Sequence, residues 1–199
     1  MNGFEKRTEL KKKNILDTAF ELFSTQGIQK VSIQEIAKKA EVSQVTIYNY
    51  FGSKDQLLVE SVKSFAFSRL EEVKYLLNDP SLAFDEKIRQ LITLKMDNIF
   101  QFDLEFMQTL ISDRPELKQF IDEFSQSHTI PIFMDLLEEG KQEGFIHHSI
   151  SLQMMMFYVD MYYQAMRNHK EFFQSEESIQ EFTEQILHMF FYGITGKSE

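Results

Sequence analysis

The sequence predicts an all-α protein, with a bundle of three short N-terminal helices followed by a larger helical domain. Three observations carry that expectation. Apolar residues recur at helical spacing along most of the chain. Strand signals are absent: there are 3 Pro and 7 Gly, and no alternating runs joined by hairpin dipeptides. Ser followed three residues later by Glu or Gln, the signature of a capping box, occurs at Ser32–Glu35, Ser53–Gln56 and Ser178–Glu181.

Composition bounds the class. With 43% apolar and 26% charged residues the 199-residue chain is globular, far from the polar, highly charged signature of disorder. It contains no Cys, which excludes disulfides, thiolate metal sites and cysteine nucleophiles. No apolar stretch approaches the roughly 20 residues that span a bilayer, and the N-terminus lacks an apolar signal core. The expectation is a soluble, cytoplasmic protein without membrane partner, metal or cofactor. The net charge of −10 is unevenly spread. Met1–Lys63 carries 10 Lys/Arg against 8 Asp/Glu, whereas the remainder carries 11 against 23. Such asymmetry is a pointer to nucleic-acid contact by the less acidic segment, although the same values fit an average surface.

The first helix is read over Lys6–Ser24, with Ile15, Leu16, Ala19, Phe20 and Phe23 on one face and Gly27 closing it. Its run Lys11-Lys12-Lys13 suits either phosphate or minor-groove contact or a solvated face. Ser32 opens a second helix, with Val31 and Ile36 at the hydrophobic-staple positions. Ser43 opens a third, carrying Gln44, Val45, Thr46, Ile47, Tyr48 and Asn49. Lys54 to about Leu77 is a long helix ended by Asn78-Asp79-Pro80. Further helices are expected at about 84–101, 103–111, 115–126, 130–143, 151–170 and 178–194. The breaks between them fall at Asp113-Arg-Pro115, Thr129-Ile-Pro131, Gly140–Gly144 and Glu176-Glu-Ser178.

The helix opened by Ser43 is too short to be stable alone, so it must lean on its neighbours. Ile33, Ile36, Ala37, Ala40, Val42, Val45, Ile47 and Phe51 are the candidates for that internal core, which leaves the polar residues facing outward. Gln44 and Asn49 carry amides able to pair bidentately with adenine, and Thr46 a hydroxyl and methyl for a base edge. Tyr48 and Tyr50 offer hydroxyls to phosphates. Lys54 lies in a first helical turn, where an ammonium and free N–H groups together suit a phosphate. Val45 fits either the core or a thymine methyl. With the capping residues Ser32 and Ser43, these form the candidate DNA-binding set.

These residues resemble the TetR family of bacterial transcriptional regulators. The pattern runs through Ile15-Leu-Asp-Thr-Ala-Phe-Glu-Leu-Phe23, Gly27, Val31-Ser-Ile-Gln-Glu-Ile-Ala37, Val42-Ser-Gln-Val-Thr-Ile-Tyr-Asn-Tyr-Phe51 and Ser53-Lys54. The resemblance covers roughly the first 60 residues; beyond them it is architectural only. It implies a helix-turn-helix DNA-binding domain at 1–55 and a helical ligand-sensing and dimerisation domain at 56–199. It further implies a homodimeric repressor of a palindromic double-stranded DNA operator, released by a small-molecule effector. Gln44, Thr46, Tyr48, Asn49, Tyr50 and Lys54 match positions that touch DNA in the family. One departure is Glu41, where the family often has Gly; another residue is tolerable there at some cost in backbone strain.

In the C-terminal half, Met154–Tyr163 and the last helix are apolar almost all round. Helices of that kind are buried on several sides, either in a four-helix dimer interface or in a monomeric core. The resemblance implies the dimer. Phe100, Phe106, Met107, Phe124, Met134 and Met155 are candidate walls of an adaptable pocket for an apolar or aromatic ligand, with Asp160 as a polar marker. The same stripe also fits plain core. Adjacent His147-His148 do not share a helix face, which argues against a metal site. No nucleophile motif, phosphate-binding glycine loop or H-E-x-x-H pair supports an enzyme. The alternative left open is a helical protein-interaction module without sequence-specific DNA binding.

Overall fold

In a computed structural model of the chain, every described element is helical. The structure describes residues 3–99, 102–110 and 114–168, with 175, 177–178, 181–182, 185–186 and 188–189 beyond them. The helices are α1 (Gly3–Gln26), α2 (Ile33–Lys39), α3 (Gln44–Phe51), α4 (Lys54–Leu77) and α5 (Phe84–Ile99). They continue as α6 (Leu104–Leu110), α7 (Pro115–Phe124), α8 (Ile130–Gln142) and α9 (Leu152–Asn168). Described positions from 177 to 189 are helical as well, but most of the expected 178–194 helix lies outside the described residues.

The chain forms two compact units, Met1–Glu72 with Gln101–Lys118, and Val73–Phe100 with Gln119–Glu199. In the first, the apolar face expected of α1 is buried: Ile15, Ala19 and Phe23 are fully enclosed. They meet Ile33, Ile36 and Ala37 of α2, Ile47 of α3, Leu57, Leu58 and Val62 of α4, and Phe106 of α6. Phe65 stacks on Phe20 with ring centroids 3.9 Å apart, and Phe106 meets Phe20 edge-on at 5.5 Å. Each such side chain contributes about 1.5–3 kcal/mol by leaving water. Gly27, at φ 85°, ends α1; a Cβ there would come within 2.7 Å of Glu105 Oε2 and 2.9 Å of Asp103 Oδ1. The loop that follows is held by Glu105, whose Oε1 accepts the Gln29 N–H at 3.2 Å.

The core of the second unit gathers Phe84, Leu91, Leu136, Leu137, Ile146 and Met155. Lys87, only 7% exposed, donates to Glu139 at 2.6 Å, so the ammonium is buried with a charged partner as its desolvation requires. One expected break is corrected. At Thr129-Ile-Pro131 the helix does not stop. A one-turn π-helical segment, Ser125–Thr129, joins α7 to α8, and this local change of ladder precedes Pro131, which has no N–H to continue it. The break expected over Gly140–Gly144 is present, with Gly140 in the last turn of α8. A Cβ there would meet Ile146 Cδ1 at 2.6 Å and Phe84 Cζ at 2.7 Å, so this glycine serves close approach. The helix ends two residues later, and Gly144, at φ 75°, provides the left-handed turn.

Two capping boxes are also corrected. Ser53 Oγ accepts the Gln56 N–H at 3.0 Å, but the Gln56 side chain turns to Glu60 Oε1 at 3.2 Å rather than back to the cap. Ser178 is itself capped, its N–H donating to Ser175 Oγ at 3.2 Å, while Glu181 accepts from Gln185 Nε2 at 3.2 Å. In both cases a partner one turn onward wins the side chain.

Among the described residues, the apolar stretch on α9 is only partly buried. Met155 is buried, but Met154, Phe157 and Met161 are 56%, 63% and 45% exposed. No helix among the described residues is long and apolar enough to cross a membrane.

Candidate nucleic-acid interface

The interface is built from α2, its turn and α3. At Ser32 the capping box is complete: Oγ accepts the Glu35 N–H at 3.2 Å, and the Ser32 N–H donates to Glu35 Oε2 at 2.7 Å. Val31 and Ile36, 1% and 0% exposed, close the hydrophobic staple beneath it. The hydrogen bonds from the Ser32 backbone and hydroxyl hold the Glu35 carboxyl below its ordinary pKa, with Lys54 adding a smaller electrostatic pull. A group lowered in the folded state stabilises above its unfolded pKa, and that contribution is lost as pH falls through the folded value. Thermal melts should therefore show wild type losing stability relative to Glu35→Gln on acidification through the lower carboxylate range. A constant difference across that range would refute the linkage.

The turn itself is a left-handed cap. Glu41 has φ 56°, with Val42 N–H donating to Ala37 O at 2.9 Å and Glu41 N–H to Lys38 O at 3.4 Å. That paired arrangement returns the chain toward α3, and it puts the expected strain on a non-glycine residue. Ser43 then caps α3, its Oγ accepting the Thr46 N–H at 3.1 Å.

Ile47, 1% exposed, seats α3 on the core, with Phe51 half-buried one turn on. The opposite face presents Gln44, Val45, Tyr48 and Asn49, all exposed and spaced i, i+1, i+4, i+5 along one side. Val45, 66% exposed, is therefore not part of the core. The i, i+4 rule explains this: with 47 and 51 facing inward, 45 points away. Other expected contacts are more occupied. The Thr46 hydroxyl lies 2.9 Å from Ser43 Oγ, and both it and Ser43 serve the cap. The Tyr50 ring is half-buried against the core, with Lys12 Nζ 5.7 Å above its centroid. Lys54, half-buried at the start of α4, holds its ammonium 5.9 Å from the Phe23 ring centroid. In the lysine run, Lys12 pairs with Glu9 at 3.1 Å and Lys13 with Asp17 at 2.6 Å, which uses part of its charge locally.

The candidate sensor residues are divided between the two units. Phe106, 0% exposed, fills the core of the N-terminal unit, because the cluster of Phe20, Phe65 and Phe102 needs an edge-on ring there. Met155 is buried in the second core, Met134 is 47% exposed, and Asp160 is exposed. Phe124 is half-buried, its ring 5.4 Å from Phe120 and 5.1 Å from His128. Phe100 and the Met107 side chain lie outside the described residues. No group of three or more acidic or His side chains able to hold a metal is found among the described residues. Sequence reasoning missed Asn14, whose Nδ2 donates to Ala40 O at 2.9 Å. Its one signal was a polar, weakly helix-forming residue in the middle of α1.

Two capped helices joined by a tight turn, the second seated on a core with a polar face outward, define a helix-turn-helix domain. Residues 15–60 match the family model described as bacterial regulatory proteins, tetR family. That segment of the chain is thus a TetR-type helix-turn-helix. The chain is 33% identical over 94 residues to the HTH-type transcriptional regulator YuxN of Bacillus subtilis, covering 46% of this chain. The match spans 31% of YuxN, about a third of that relative's length. It is 27% identical over 148 residues to the fatty acid metabolism regulator protein of Bacillus subtilis, covering 70% of this chain and 73% of that one. The fold is similar to that of FadR from Bacillus subtilis, solved in complex with stearoyl-CoA. The TM-score is 0.60 at 21% identity, over 91% of this chain and 98% of that one.

Proposed function

We propose that this protein is a ligand-responsive transcriptional repressor that binds a palindromic operator as a homodimer in the cytoplasm. The observation that carries the reading is the exposed quartet Gln44, Val45, Tyr48 and Asn49 on a capped helix seated by Ile47. Gln44 and Asn49 read adenine edges, and Val45 packs on a thymine methyl. Tyr48, Tyr50, Thr46 and Lys54 fix the register on the backbone, and the Ser32 and Ser43 caps place helix N-termini toward phosphates. DNA reading belongs to 1–55, sensing and dimerisation to 56–199. The dimer forms through the last two helices, and the exposed Met154, Phe157 and Met161 of α9 support this. A dimer sets two recognition helices about 34–36 Å apart, in successive major grooves.

The effector is an apolar small molecule, bound by residues among Phe100, Phe106, Met107, Phe124, Met134, Met155 and Asp160. The likeness to FadR, solved with stearoyl-CoA, makes a long-chain acyl thioester the first class to test. A ligand favouring a conformation with the wrong helix spacing releases DNA, by roughly 5–150-fold for a coupling of about 1–3 kcal/mol. The test is a footprint on the intergenic DNA beside the gene, repeated with acyl-CoA of graded chain length. Absence of any protected palindrome would defeat the DNA reading; a footprint indifferent to every acyl-CoA would defeat the effector class alone.

Lys54→Ala is expected to weaken binding to all sequences alike and to reduce the salt slope by about 1 per subunit. Titrations at several salt concentrations, on operator and on unrelated duplex, measure both effects. A loss restricted to the operator would instead make Lys54 a reader.

A further inference from the structure

We propose that Asn14 is a positioning residue for the recognition helix, clamping the turn between α2 and α3 from outside the helix-turn-helix. The inference rests on the DNA-binding reading of α3. The last carbonyls of α2 are served locally: Ile36 O accepts from Ala40 at 2.8 Å, and Ala37 O accepts from Val42 at 2.9 Å. The Ala40 carbonyl lies at the point where the chain leaves the helix, and its residue is 2% exposed. It accepts from Asn14 Nδ2 at 2.9 Å, across 26 residues of sequence. Left without that donor, a carbonyl withdrawn from water is costly.

The adjoining residue makes the clamp matter. Glu41 holds φ 56°, a conformation that side chains other than glycine adopt at a cost, so the turn is inclined to relax. The apolar contacts of Ile33, Ile36, Ala37 and Ile47 seat the helices but are not directional. A hydrogen bond to the carbonyl beside the strained residue is directional, and it resists rotation of α3 about the turn. The exposed Lys39–Glu21 ion pair, at 2.6 Å, also joins α1 to α2, but salt screens it and it does not touch the turn. Asn is a poor choice for the middle of α1 on helix propensity alone, which is the mark of a residue kept for another task.

The experiment uses the full chain, an operator selected by wild type from random duplexes, and an unrelated duplex. Asn14→Ala and the near-isosteric Asn14→Asp, whose carboxylate cannot donate, are expected to weaken operator binding by about tenfold. The melting temperature falls by the few degrees that one unsatisfied carbonyl costs, and binding to unrelated DNA, measured well below the melt, stays close to wild type. Amide hydrogen exchange at Val42 accelerates, and Glu41→Gly in the Asn14→Ala background restores most of the operator affinity by removing the strain. Equal losses on both DNAs, or unchanged exchange at Val42, overturn the clamp. If wild type selects no sequence, the DNA reading fails by itself; the Val42 exchange still decides whether Asn14 holds the turn.

Discussion

Phe23→Ala is expected to destabilise the protein by about 3–5 kcal/mol, as truncation of a fully buried Phe does. The residue is 0% exposed, among Ile15, Ala19, Ile36 and Leu57 in the core shared by α1, α2 and α4. Lys54 lies over its ring, so the truncation also frees a cation assigned to phosphate contact. Against a total stability of about 5–15 kcal/mol, this loss is enough to unfold a marginal domain and to abolish DNA binding. Denaturant unfolding monitored by helical signal measures it. Tyr75→Ala, at a position 81% exposed, provides the comparison and should change stability by no more than about 0.5 kcal/mol. Equal effects at the two positions would mean that the packing of α1 on the helix-turn-helix is wrong.

Gln44→Ala is expected to relax the choice of one base pair per half-site, by about 1–3 kcal/mol each. In the proposed homodimer on a palindrome the base pair is read twice, so the effect on the full operator is about 2–6 kcal/mol if the half-sites add. Its signature differs from that of Lys54→Ala. The preference flattens at one symmetric pair of positions, while affinity for unrelated DNA and its salt slope stay as in wild type. Binding to a set of operators with every single-base change reads this directly. An unaltered base profile in Gln44→Ala would remove Gln44 from the readers and leave Val45, Tyr48 and Asn49 as the candidates on that face.

The parts of the fold that were legible in advance are those made by neighbours in sequence. The Ser32–Glu35 box, the Val31–Ile36 staple, the Gly27 stop and the end of α4 at Leu77 each involve residues within about one turn, so their chemistry is written locally. Even there competition intervened. Gln56 and Glu181 had suitable partners at i+4 and took them, which a pattern of Ser followed by Gln or Glu does not reveal. Gly140 and Pro131 resemble punctuation in sequence, yet both lie inside α8. One permits Phe84 and Ile146 to approach, and the other follows a π-helical turn.

The candidate DNA face was legible to the extent that helical spacing separates inner from outer residues. Ile47 was assigned inward and Gln44 and Asn49 outward from the sequence, as the structure places them. The spacing alone leaves Val45 open to two roles, because a short helix with apolar residues on nearby positions has no unique inner face until its neighbours are placed. The sensor set was less legible. Phe and Met are the same residues whether they line a cavity or fill a core, and Phe106 went to the core of the reading unit.

By itself the sequence determined the helical class, the order of the helices, the family resemblance of the N-terminal segment, and the outward amides of α3, because propensity, caps and periodicity act within a few residues. Only the tertiary structure decided which apolar side chain of α3 faces outward and which polar groups are already occupied. It alone brought Asn14 to the Ala40 carbonyl and Glu105 to the Gln29 amide. Those contacts join residues 26 and 76 positions apart, and nothing in the local chemistry of either partner specifies the other until the core has brought them within reach.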